Sequence, residues 1–235
     1  IESAKRQWNY LKSFLESLGA DIKLIKPRPE YPDMVFTANA GIVHNKKVVL
    51  SNFKHKERQG EKQYFKEWFS DNGYEVHELP ESVLFEGRGD CFVYRDCLIG
   101  GYGQRGSRDA IIKTAEILEL SPVPLELVDP RYYHLDTCFS IIDPHKGLAI
   151  YAKSAFNEDV ERKMAEIDLN LIAVAEKECE NFACNSVSLG GAVLLPKGSD
   201  KIERELERHG HISAPCEMSE FMKSGGACRC LVLEI

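Results

Sequence analysis

The stretch Phe85-Glu-Gly-Arg-Gly-Asp-Cys-Phe-Val-Tyr-Arg-Asp-Cys-Leu-Ile-Gly100 contains the structural unit from which the fold is predicted. Its two apolar runs, Asp90–Tyr94 and Cys97–Gly100, are separated by two polar residues, and this pattern predicts a β-hairpin. A helical pattern follows over Asp109–Leu118, and an apolar run over Val123–Val128 then predicts another strand. The unit is therefore a hairpin, a helix and a strand.

The same order of elements recurs three more times along the chain. The additional predicted hairpins are Ala40–His44 with Lys47–Leu50, Thr137–Ile142 with Leu148–Tyr151, and Asn185–Leu189 with Ala192–Leu195. Their helices and final strands are predicted near Arg58–Phe69 and Tyr74–His77, near Glu158–Ile167 and Leu169–Val174, and at Asp200–Arg208 and His211–Ala214. Repeats spaced by about 45–50 residues are typical of propellers and repeat arrays. The sequence therefore predicts an α/β fold of ββαβ repeats, in a single domain over residues 1–235.

Three segments lie outside these repeats. A helix is predicted at Glu2–Leu18, followed by a short strand at Asp21–Ile25. The segment Cys230–Ile235 is predicted to be one strand of a fifth hairpin. Because the chain opens at Ile1 directly in a helical pattern, we expect the partner of that strand to come from residues that precede Ile1.

The composition restricts the class of protein. With 43% hydrophobic residues among 235, the chain is long enough to bury a sizeable core. The net charge of −7 gives no basic surface for nucleic acid, and no stretch has the pattern of a signal peptide or a membrane span. We therefore expect neither nucleic acid nor a membrane as a partner.

The eight cysteines bear on whether the chain is located in a reducing or an oxidising compartment. Most of them lie inside apolar runs, as reduced and buried cysteines do, so we expect a reducing, cytoplasmic location. Cys228 and Cys230 form a Cys-x-Cys pair, but no second pair follows at zinc-ligand spacing. We therefore expect no metal.

One polar residue lies at the start of each predicted hairpin. These residues are Asn39, Glu86, His134, Asn185 and Cys230. In a ring of repeats, equivalent positions converge on the axis, so we expect these side chains to line a polar cavity. A histidine exchanges a proton near neutral pH, and a cysteine becomes a nucleophile when its surroundings favour the thiolate. The set therefore predicts nucleophilic catalysis.

Further charged residues flank these positions. Asp33 and Asp90 lie close in sequence to two of them, and Arg105 offers a guanidinium that could bind a substrate carboxylate. Each of these motifs alone is also consistent with a surface turn. The segment Gly101–Gly106 fits the dinucleotide pattern GxGxxG as well. We disfavour that interpretation because the preceding strand is half of a hairpin and not the start of a parallel βαβ unit.

Together these motifs resemble the guanidino-group-modifying superfamily of arginine deiminases, dimethylarginine dimethylaminohydrolases and amidinotransferases. The resemblance covers nearly the whole chain and is closest to the arginine dihydrolases. It rests on the stretches DMVFTANAG (33–41), HKERQG (55–60), YFKEWF (64–69), FEGRGD (85–90), YHLDTCF (133–139) and NFACNS (181–186). It implies a five-bladed α/β propeller, the pentein fold, with a central site that uses no cofactor.

The resemblance also implies roles for individual residues. Cys230 matches the family nucleophile, His134 the general acid and base, and Glu86 the carboxylate that engages the guanidinium. Asp33 and Arg105 match residues that contact the substrate.

Two features depart from the family pattern. Family members usually begin with a strand and a loop that contribute to the pocket, and this sequence does not include them. Cys228 is an additional thiol two residues before the matched nucleophile.

The implied reaction is hydrolysis of the guanidino group of L-arginine through a covalent thiouronium intermediate. At the position of Asn39 the deiminases carry an Asp, whereas an Asn offers both a donor and an acceptor and can also bind the neutral ureido group of citrulline. The resemblance therefore favours an arginine dihydrolase, which releases ornithine, ammonia and carbon dioxide. The alternatives are a deiminase or dimethylargininase that stops at citrulline, an amidinotransferase, and a non-catalytic amino-acid-binding module. The sequence is compatible with a homo-oligomer.

Overall fold

The computed structural model describes all 235 residues. Its helices are α1 Glu2–Ser17, α2 Lys56–Gln59, α3 Glu61–Asp71, α4 Arg108–Leu118, α5 Val160–Glu166, α6 Glu176–Cys179, α7 Asp200–Arg208 and α8 Ser219–Met222. Its strands are β1 Gly41–His44, β2 Lys47–Leu50, β3 Glu75–Glu78, β4 Cys91–Tyr94, β5 Cys97–Tyr102, β6 Ser121–Glu126, β7 Phe139–Asp143, β8 Leu148–Tyr151, β9 Asn170–Ala173, β10 Val187–Leu189, β11 Ala192–Pro196 and β12 Ile212–Cys216. Short 3₁₀ helices lie at Pro32–Val35, Thr37–Ala40, Gly87–Gly89, Leu135–Thr137 and Lys153–Ala155.

The strands form four three-stranded sheets, ordered β1-β2-β3, β4-β5-β6, β7-β8-β9 and β10-β11-β12. In each sheet the first two strands are an antiparallel hairpin, and the third strand runs parallel to the second. A parallel neighbour requires a crossover connection, and the helices α3, α4, α5 and α7 lie in these connections. The predicted α/β fold of ββαβ repeats is therefore confirmed.

Local sequence explains where these elements turn and begin. Asn45 and Lys46 have positive φ angles of 48° and 64°, as a two-residue type I′ hairpin turn requires. Helix α4 begins after Ser107, whose hydroxyl accepts a hydrogen bond from the N–H of Ala110 at 3.2 Å. Such a cap satisfies one of the free N–H groups in the first turn of a helix.

The chain divides into two compact units. Unit 1 comprises Ile1–Leu24, Thr137–Lys153 and Met164–Arg229, and it contains the sheets β7-β8-β9 and β10-β11-β12. Unit 2 comprises Ile25–Asp136, Ser154–Lys163 and Cys230–Ile235, and it contains the sheets β1-β2-β3 and β4-β5-β6. A single domain over residues 1–235 stays a prediction.

Strand β2 is buried on both faces in the core of unit 2. Val48 and Leu50 belong to a cluster with Phe65 of α3, whereas Val49, on the opposite face, belongs to a cluster with Ile111 of α4. Each fully buried side chain of this size contributes about 1.5–3 kcal/mol relative to an exposed one. The apolar run of β2 thus fixes the hairpin whose start carries Asn39.

Three predicted elements differ in the structure. The strand predicted at Asp21–Ile25 is wrong, because this segment is largely exposed and pairs with no other strand. The strand predicted at Cys230–Ile235 is wrong at its start, because Cys230 and Leu231 lie in a turn and the carbonyl of Cys230 accepts the N–H of Ala38 at 3.1 Å. The rest of this segment joins no sheet within the chain, and the partner predicted for it precedes Ile1. The helix predicted near Arg58–Phe69 is divided into α2 and α3 at Gly60, since glycine is a poor helix former.

All eight cysteines are buried free thiols, as their apolar surroundings in the sequence predict. None of the helices combines the length and the apolar character that crossing a membrane requires.

Candidate active site

A buried pair formed by Glu86 and His134 lies at the centre of the candidate site, in unit 2. The Nε2 atom of His134 is 3.0 Å from Oε2 of Glu86, and both side chains are at most 2% exposed. The other carboxylate oxygen accepts the main-chain N–H of Lys54 at 3.2 Å. Burial alone would raise the pKa of Glu86, but the hydrogen bond and charge of His134, together with the charge of Arg105, lower it to about 2. Glu86 is therefore an anion at neutral pH.

The charge of His134 follows from its two acidic neighbours. Burial favours the neutral ring, yet the negative charges of Asp90 and Glu86 outweigh it and raise the pKa of His134 above 6.5. The imidazole therefore keeps its proton up to a higher pH than an exposed histidine does.

Asp90 is a second buried carboxyl group in this cluster. Its Oδ2 accepts the N–H of Glu86 at 2.7 Å, and its Oδ1 lies 3.9 Å from Nε2 of His134. Burial above all, and then the charge of Glu86, raise the pKa of Asp90 to about 7, although His134 acts in the opposite direction. The cluster thus combines one permanent anion with a carboxyl group that exchanges its proton near neutral pH.

Replacing Asp90 with Asn is expected to stabilise the chain at alkaline pH. The pKa of Asp90 rises from 3.8 to about 7 on folding, so the ionised carboxylate destabilises the folded state increasingly as the pH rises through this range. An amide keeps an acceptor for the N–H of Glu86 without a charge. The difference in free energy of unfolding between Asp90→Asn and the unaltered chain should grow by up to about 4 kcal/mol as the pH rises between these two pKa values. Above the higher pKa this difference should stay constant.

Urea unfolding at about pH 5 and about pH 8.5 measures this difference. The exposed Asp71→Asn on α3 is the matched control and should show no such growth. An equal gain at both pH values would contradict the raised pKa of Asp90.

Two glycines in the loop before β4 are required by close packing. Gly87 has a φ angle of +63°, and a Cβ atom there would lie 2.6 Å from the main-chain oxygen of Gly41. A Cβ atom on Gly89 would lie 2.4 Å from Nδ2 of Asn39 and 3.0 Å from Nδ1 of His134. The bare backbone therefore lets the starts of three hairpins meet.

Asn39 is buried beside the Glu86–His134 pair. Its Nδ2 donates to the main-chain oxygen of Glu86 at 3.1 Å, and its Oδ1 accepts from Nη1 of Arg58 at 2.9 Å. Asp33 lies half-buried on the 3₁₀ helix before it, and the main-chain oxygen of Asp33 accepts from Nη2 of Arg58 at 3.1 Å. The structure thus brings the Asn39 side chain into the cluster, whereas the Asp33 contact with Arg58 is made by its backbone.

Arg105 lies on the same carboxylate. Its Nη1 is 3.4 Å from Oε2 of Glu86, and its guanidinium lies over the ring of Tyr133, 4.6 Å from the ring centroid. The Tyr133 ring also contacts His134 edge to face, with 5.0 Å between centroids. Arg105 therefore contacts the carboxylate that the resemblance assigns to the substrate guanidinium.

Cys230 is buried next to an aspartate that the sequence reasoning did not select. Its Sγ donates to Oδ2 of Asp136 at 3.4 Å. Burial lowers the pKa of His134 and the charges of Asp90 and Glu86 raise it, and the charge of Asp136 adds to that rise, so Asp136 lies close to the Glu86–His134 pair. The thiol therefore belongs to the same cluster. The available sequence signal was the position of Asp136 two residues after His134 in YHLDTCF.

The Arg58–Glu61 pair was also missed. It lies at the junction of α2 and α3, and both side chains are almost fully buried. The sequence signals are the position of Arg58 in the stretch HKERQG (55–60) and the spacing of three residues between opposite charges. The exposed pair Glu205 and Arg208 on α7 has the same spacing, so spacing alone does not identify a buried pair.

Of the polar residues selected from the sequence, Asn185 lies in unit 1, and so does the additional thiol of Cys228. The Oδ1 atom of Asn185 accepts the main-chain N–H groups of Ala227 and Arg229 at 3.2 and 3.0 Å. A substrate-binding role for Asn185 stays a prediction. The thiol of Cys228 is hydrogen-bonded to Cys216, which holds the pKa of Cys216 below its ordinary value.

The chemistry available in unit 2 is that of a buried thiol, an imidazole and a carboxylate anion. No group of three or more His, Cys, Asp or Glu side chains in the structure is placed to hold a metal ion. An anion can fix a planar cation, a thiolate can attack its carbon, and an imidazole can move the protons.

This fold and this set of side chains define the guanidino-group-modifying superfamily. A family model described as "N,N dimethylarginine dimethylhydrolase, eukaryotic" matches residues 1–235. The chain belongs to this family, and the superfamily expected from the sequence is confirmed.

Characterised relatives agree with this assignment. The chain is 42% identical over 238 residues to the bifunctional arginine dihydrolase/ornithine cyclodeaminase AgrE of Nostoc sp., a match that covers 100% of this chain and 33% of AgrE. It is 33% identical over 235 residues to the N(G),N(G)-dimethylarginine dimethylaminohydrolase of Mycobacterium tuberculosis, covering 100% of this chain and 76% of that protein. The chain thus spans about a third of the length of the bifunctional relative.

A solved structure confirms the fold that the resemblance implied. It is the substrate-bound N-terminal domain of ArgZ, with a Cys-to-Ser substitution, described as an arginine dihydrolase from the ornithine-ammonia cycle in cyanobacteria. The two structures superpose with a TM-score of 0.93 at 40% identity, covering 99% of this chain and 86% of that one.

Proposed function

We propose that this chain hydrolyses the guanidino group of L-arginine through a covalent intermediate on Cys230, and that it acts as an arginine dihydrolase. The supporting observation is the buried pair of Glu86 and His134 in one cluster with the Cys230 thiol. In this proposal Glu86 accepts the N–H groups of the guanidinium and orients its carbon toward the sulfur. The similarity to AgrE and to the arginine dihydrolase ArgZ supports arginine as the substrate.

The thiol must lose its proton before it attacks. Asp136 accepts the S–H hydrogen bond and is therefore placed to take that proton. A cationic guanidinium held by Glu86 brings positive charge next to the sulfur and favours the thiolate. Binding of the substrate itself therefore promotes activation of Cys230.

The first hydrolysis then has two parts. The sulfur forms a bond to the guanidinium carbon, His134 gives its proton to a departing nitrogen, and ammonia leaves. A water molecule next gives a proton to His134 while its oxygen bonds to the carbon. The carbon–sulfur bond breaks, which restores Cys230 and leaves citrulline.

A second round on the ureido group completes the dihydrolase reaction. Arginine and two water molecules together give ornithine, two ammonia and one carbon dioxide. The ureido oxygen of citrulline is an acceptor, and an amide N–H of Asn39 is the donor that we assign to it. An aspartate could not serve as that donor when ionised.

Arg105 is proposed to bind the substrate carboxylate. Its present contact with Glu86 is long, and its side chain is 25% exposed. A substrate guanidinium on Glu86 would displace it, and the freed Arg105 could then pair with the carboxylate at the other end of the substrate.

A single hydrolysis that stops at citrulline is the second candidate. The observation that favours it is the match of residues 1–235 to the dimethylarginine dimethylaminohydrolase family, together with the 33% identity to the Mycobacterium tuberculosis enzyme.

Product analysis with guanidino-¹⁵N-labelled arginine tests the proposal. Two labelled ammonia per ornithine support the dihydrolase, whereas one ammonia per citrulline supports the second candidate. Transfer of label to an added amine would indicate an amidinotransferase. Saturable binding without any product would indicate a binding module.

Replacing Asn39 with Asp is expected to make citrulline accumulate. Arg58 can still pair with the new carboxylate, and the guanidinium of arginine can still bind Glu86, so the first ammonia should be released. The ureido oxygen of citrulline would meet a carboxylate oxygen with no donor. Loss of this hydrogen bond should weaken binding of the ureido group by roughly 2–4 kcal/mol. The second hydrolysis should therefore be slower by about thirty- to a thousandfold.

The measurement is the ratio of citrulline to ornithine after complete consumption of arginine. The exposed Asn72→Asp at the end of α3 is the matched control and should leave the ratio unchanged. Equal ornithine yields from Asn39→Asp and the unaltered chain would show that Asn39 does not select the second round.

A further inference from the structure

The outer strand of the sheet β7-β8-β9 has a free edge. Strand β9 is last in the strand order and pairs only with β8. The main-chain N–H groups of Asn170 and Val174 donate toward β8, at 2.7 and 2.9 Å. Because the direction of hydrogen bonding alternates along a strand, the N–H and C=O groups of Leu171 and Ala173 point away from β8. No hydrogen bond within the chain occupies these groups, so the edge is free to pair.

The third strands of the other three sheets are protected from such pairing. The N–H groups at the starts of β6 and β12 donate inward to their sheets, which turns Pro122, Pro124 and Pro215 outward. A proline offers no N–H to an added strand. Strand β3 carries two glutamates and a histidine among its four residues, and charge at an edge also disfavours pairing. The sequence of β9, Asn-Leu-Ile-Ala, contains neither proline nor charge.

A groove of about 590 Å³ runs along this free edge, between β9 and helix α7. The residues that line it from β9 and just after it include Ile172, Ala173 and Val174, and Ile202 lines it from α7. Ala173 is exposed and Ile172 is half-buried, so the backbone of the edge is accessible from the groove. The groove therefore gives an incoming segment of chain access to the unpaired groups of β9.

Helix α7 gives the groove free positive charge. Lys201, Arg204 and Arg208 line it at spacings of three and four residues, which places them on one face of the helix. Arg208 is paired with Glu205 at 2.7 Å, whereas the side chains of Lys201 and Arg204 have no hydrogen-bond or ion-pair partner. Glu178, the other carboxylate in the groove, caps the start of α7 by accepting two main-chain N–H groups. Two free cations thus remain, in a chain whose net charge is −7.

We infer that this groove binds an extended, acidic peptide segment of another protein, which pairs with the free edge of β9 as a fourth strand of the sheet. Leu171 and Ala173 supply the main-chain hydrogen bonds, and Lys201 and Arg204 pair with carboxylates of the segment. Addition of a strand to an exposed edge is a recurring mode of peptide recognition, in which the main chain contributes affinity and the side chains specificity. Side chains alternate between the two faces of a strand, so we expect Asp or Glu at every second position.

Charge argues against a second copy of this chain as the occupant. Two copies that paired through β9 about a twofold axis would present the same surface to each other. The unpaired cations Lys201 and Arg204 of both α7 helices would then be brought together without carboxylates to neutralise them. An acidic segment is complementary to this charge, and a second copy is not.

The first experiment measures binding of labelled peptides to the whole chain by fluorescence anisotropy. The probe is the blocked peptide Glu-Val-Glu-Val-Glu, which combines carboxylates at every second position with a β-branched residue that favours strands. It should bind, and binding should weaken as salt is added because the ion pairs are exposed. The matched peptide Lys-Val-Lys-Val-Lys should not bind. N-methylation of the main-chain amides of the acidic peptide removes their N–H groups and should weaken binding about tenfold or more.

The second experiment uses variants of the groove. Arg204→Glu should weaken binding of the acidic peptide about tenfold or more, because it replaces an opposite charge by a like charge. Arg6→Glu, at an exposed position of α1, is the matched control and should leave binding unchanged. Ala173→Pro removes an outward N–H and should weaken binding to a similar extent, whereas Ala173→Val keeps that N–H and should bind as the unaltered chain does. If Ala173→Pro does not fold, the N-methylated peptide still measures the main-chain pairing.

The outcomes decide between the occupants. Weaker binding both in Arg204→Glu and on N-methylation supports strand addition by an acidic segment. Equal binding of the N-methylated peptide, or no binding of the acidic peptide up to about 1 mM, would overturn it. Self-association of the unaltered chain in sedimentation velocity that Ala173→Pro abolishes, without binding of the peptide, would assign the edge to a second copy instead. None of these measurements depends on turnover of arginine, since the groove lies within unit 1 whereas Glu86 and His134 lie in unit 2.

Discussion

Cys230→Ser should bring arginine turnover below detection, a loss of more than about 10⁴-fold, while the protein still binds arginine. A hydroxyl at this position can keep the hydrogen bond to Asp136 that the thiol makes at 3.4 Å, so the site should stay folded. The hydroxyl has a far higher pKa than a thiol, however, and neither Asp136 nor a bound guanidinium can ionise it. Ammonia release measures the loss, and calorimetry measures the binding that remains.

Cys228→Ser is the matched control for this experiment. Cys228 is two residues away and equally buried, but its thiol is hydrogen-bonded to Cys216 in unit 1. Its replacement should preserve most of the activity. An electrophilic arginine analogue should label Cys230 alone in peptide mass analysis. Labelling of Cys228, or activity in Cys230→Ser, would mean that the nucleophile is assigned to the wrong thiol.

His134→Gln should lower kcat for arginine by about 10²–10⁴-fold, the usual contribution of a positioned general acid and base. The glutamine amide can still donate to Oε2 of Glu86, so substrate binding should change much less than kcat. It cannot protonate the departing nitrogen or accept a proton from water. The exposed His145→Gln is the matched control and should behave as the unaltered chain does.

The pH dependence gives a second measurement of the same role. Asp90 and Glu86 raise the pKa of His134 above 6.5, so the protonated ring persists to higher pH and is lost as the pH rises through that pKa. The unaltered chain should therefore show an alkaline decline in kcat/KM above 6.5, and His134→Gln should lack it. The same alkaline decline in the variant would assign the titration to another group.

Sequence periodicity was sufficient for the repeats but not for the segments between them. The run Lys47–Leu50 is apolar at every position after Lys47 because β2 is buried on both faces, and all four hairpins were recognisable in this way. Cys230–Ile235 has a similar apolar pattern but joins no sheet. A strand depends on a hydrogen-bonding neighbour, and the apolar pattern of one segment does not specify that neighbour.

The same distinction applies to the candidate site. Asn39, Glu86 and His134 could be selected together because each begins a repeat, and position in the repeat places them close to one another. Asp136 and the Arg58–Glu61 pair could not be selected in this way. Their importance depends on side-chain contacts with Cys230 and Asn39, and such contacts leave no periodic trace in a single sequence.

The two glycines before β4 also restrict how the substrate range of this chain could be changed by directed evolution. Every substitution of glycine adds a carbon, and at Gly87 and Gly89 that carbon would overlap the backbone of Gly41 or the side chain of Asn39. Most variants obtained by randomising these two codons would therefore be inactive. Diversity is better placed at Arg105, whose side chain is one quarter exposed and whose replacement would remove only the proposed contact with the substrate carboxylate. Selection for guanidino compounds that lack a carboxylate should then recover changes at that arginine while both glycine codons stay as they are.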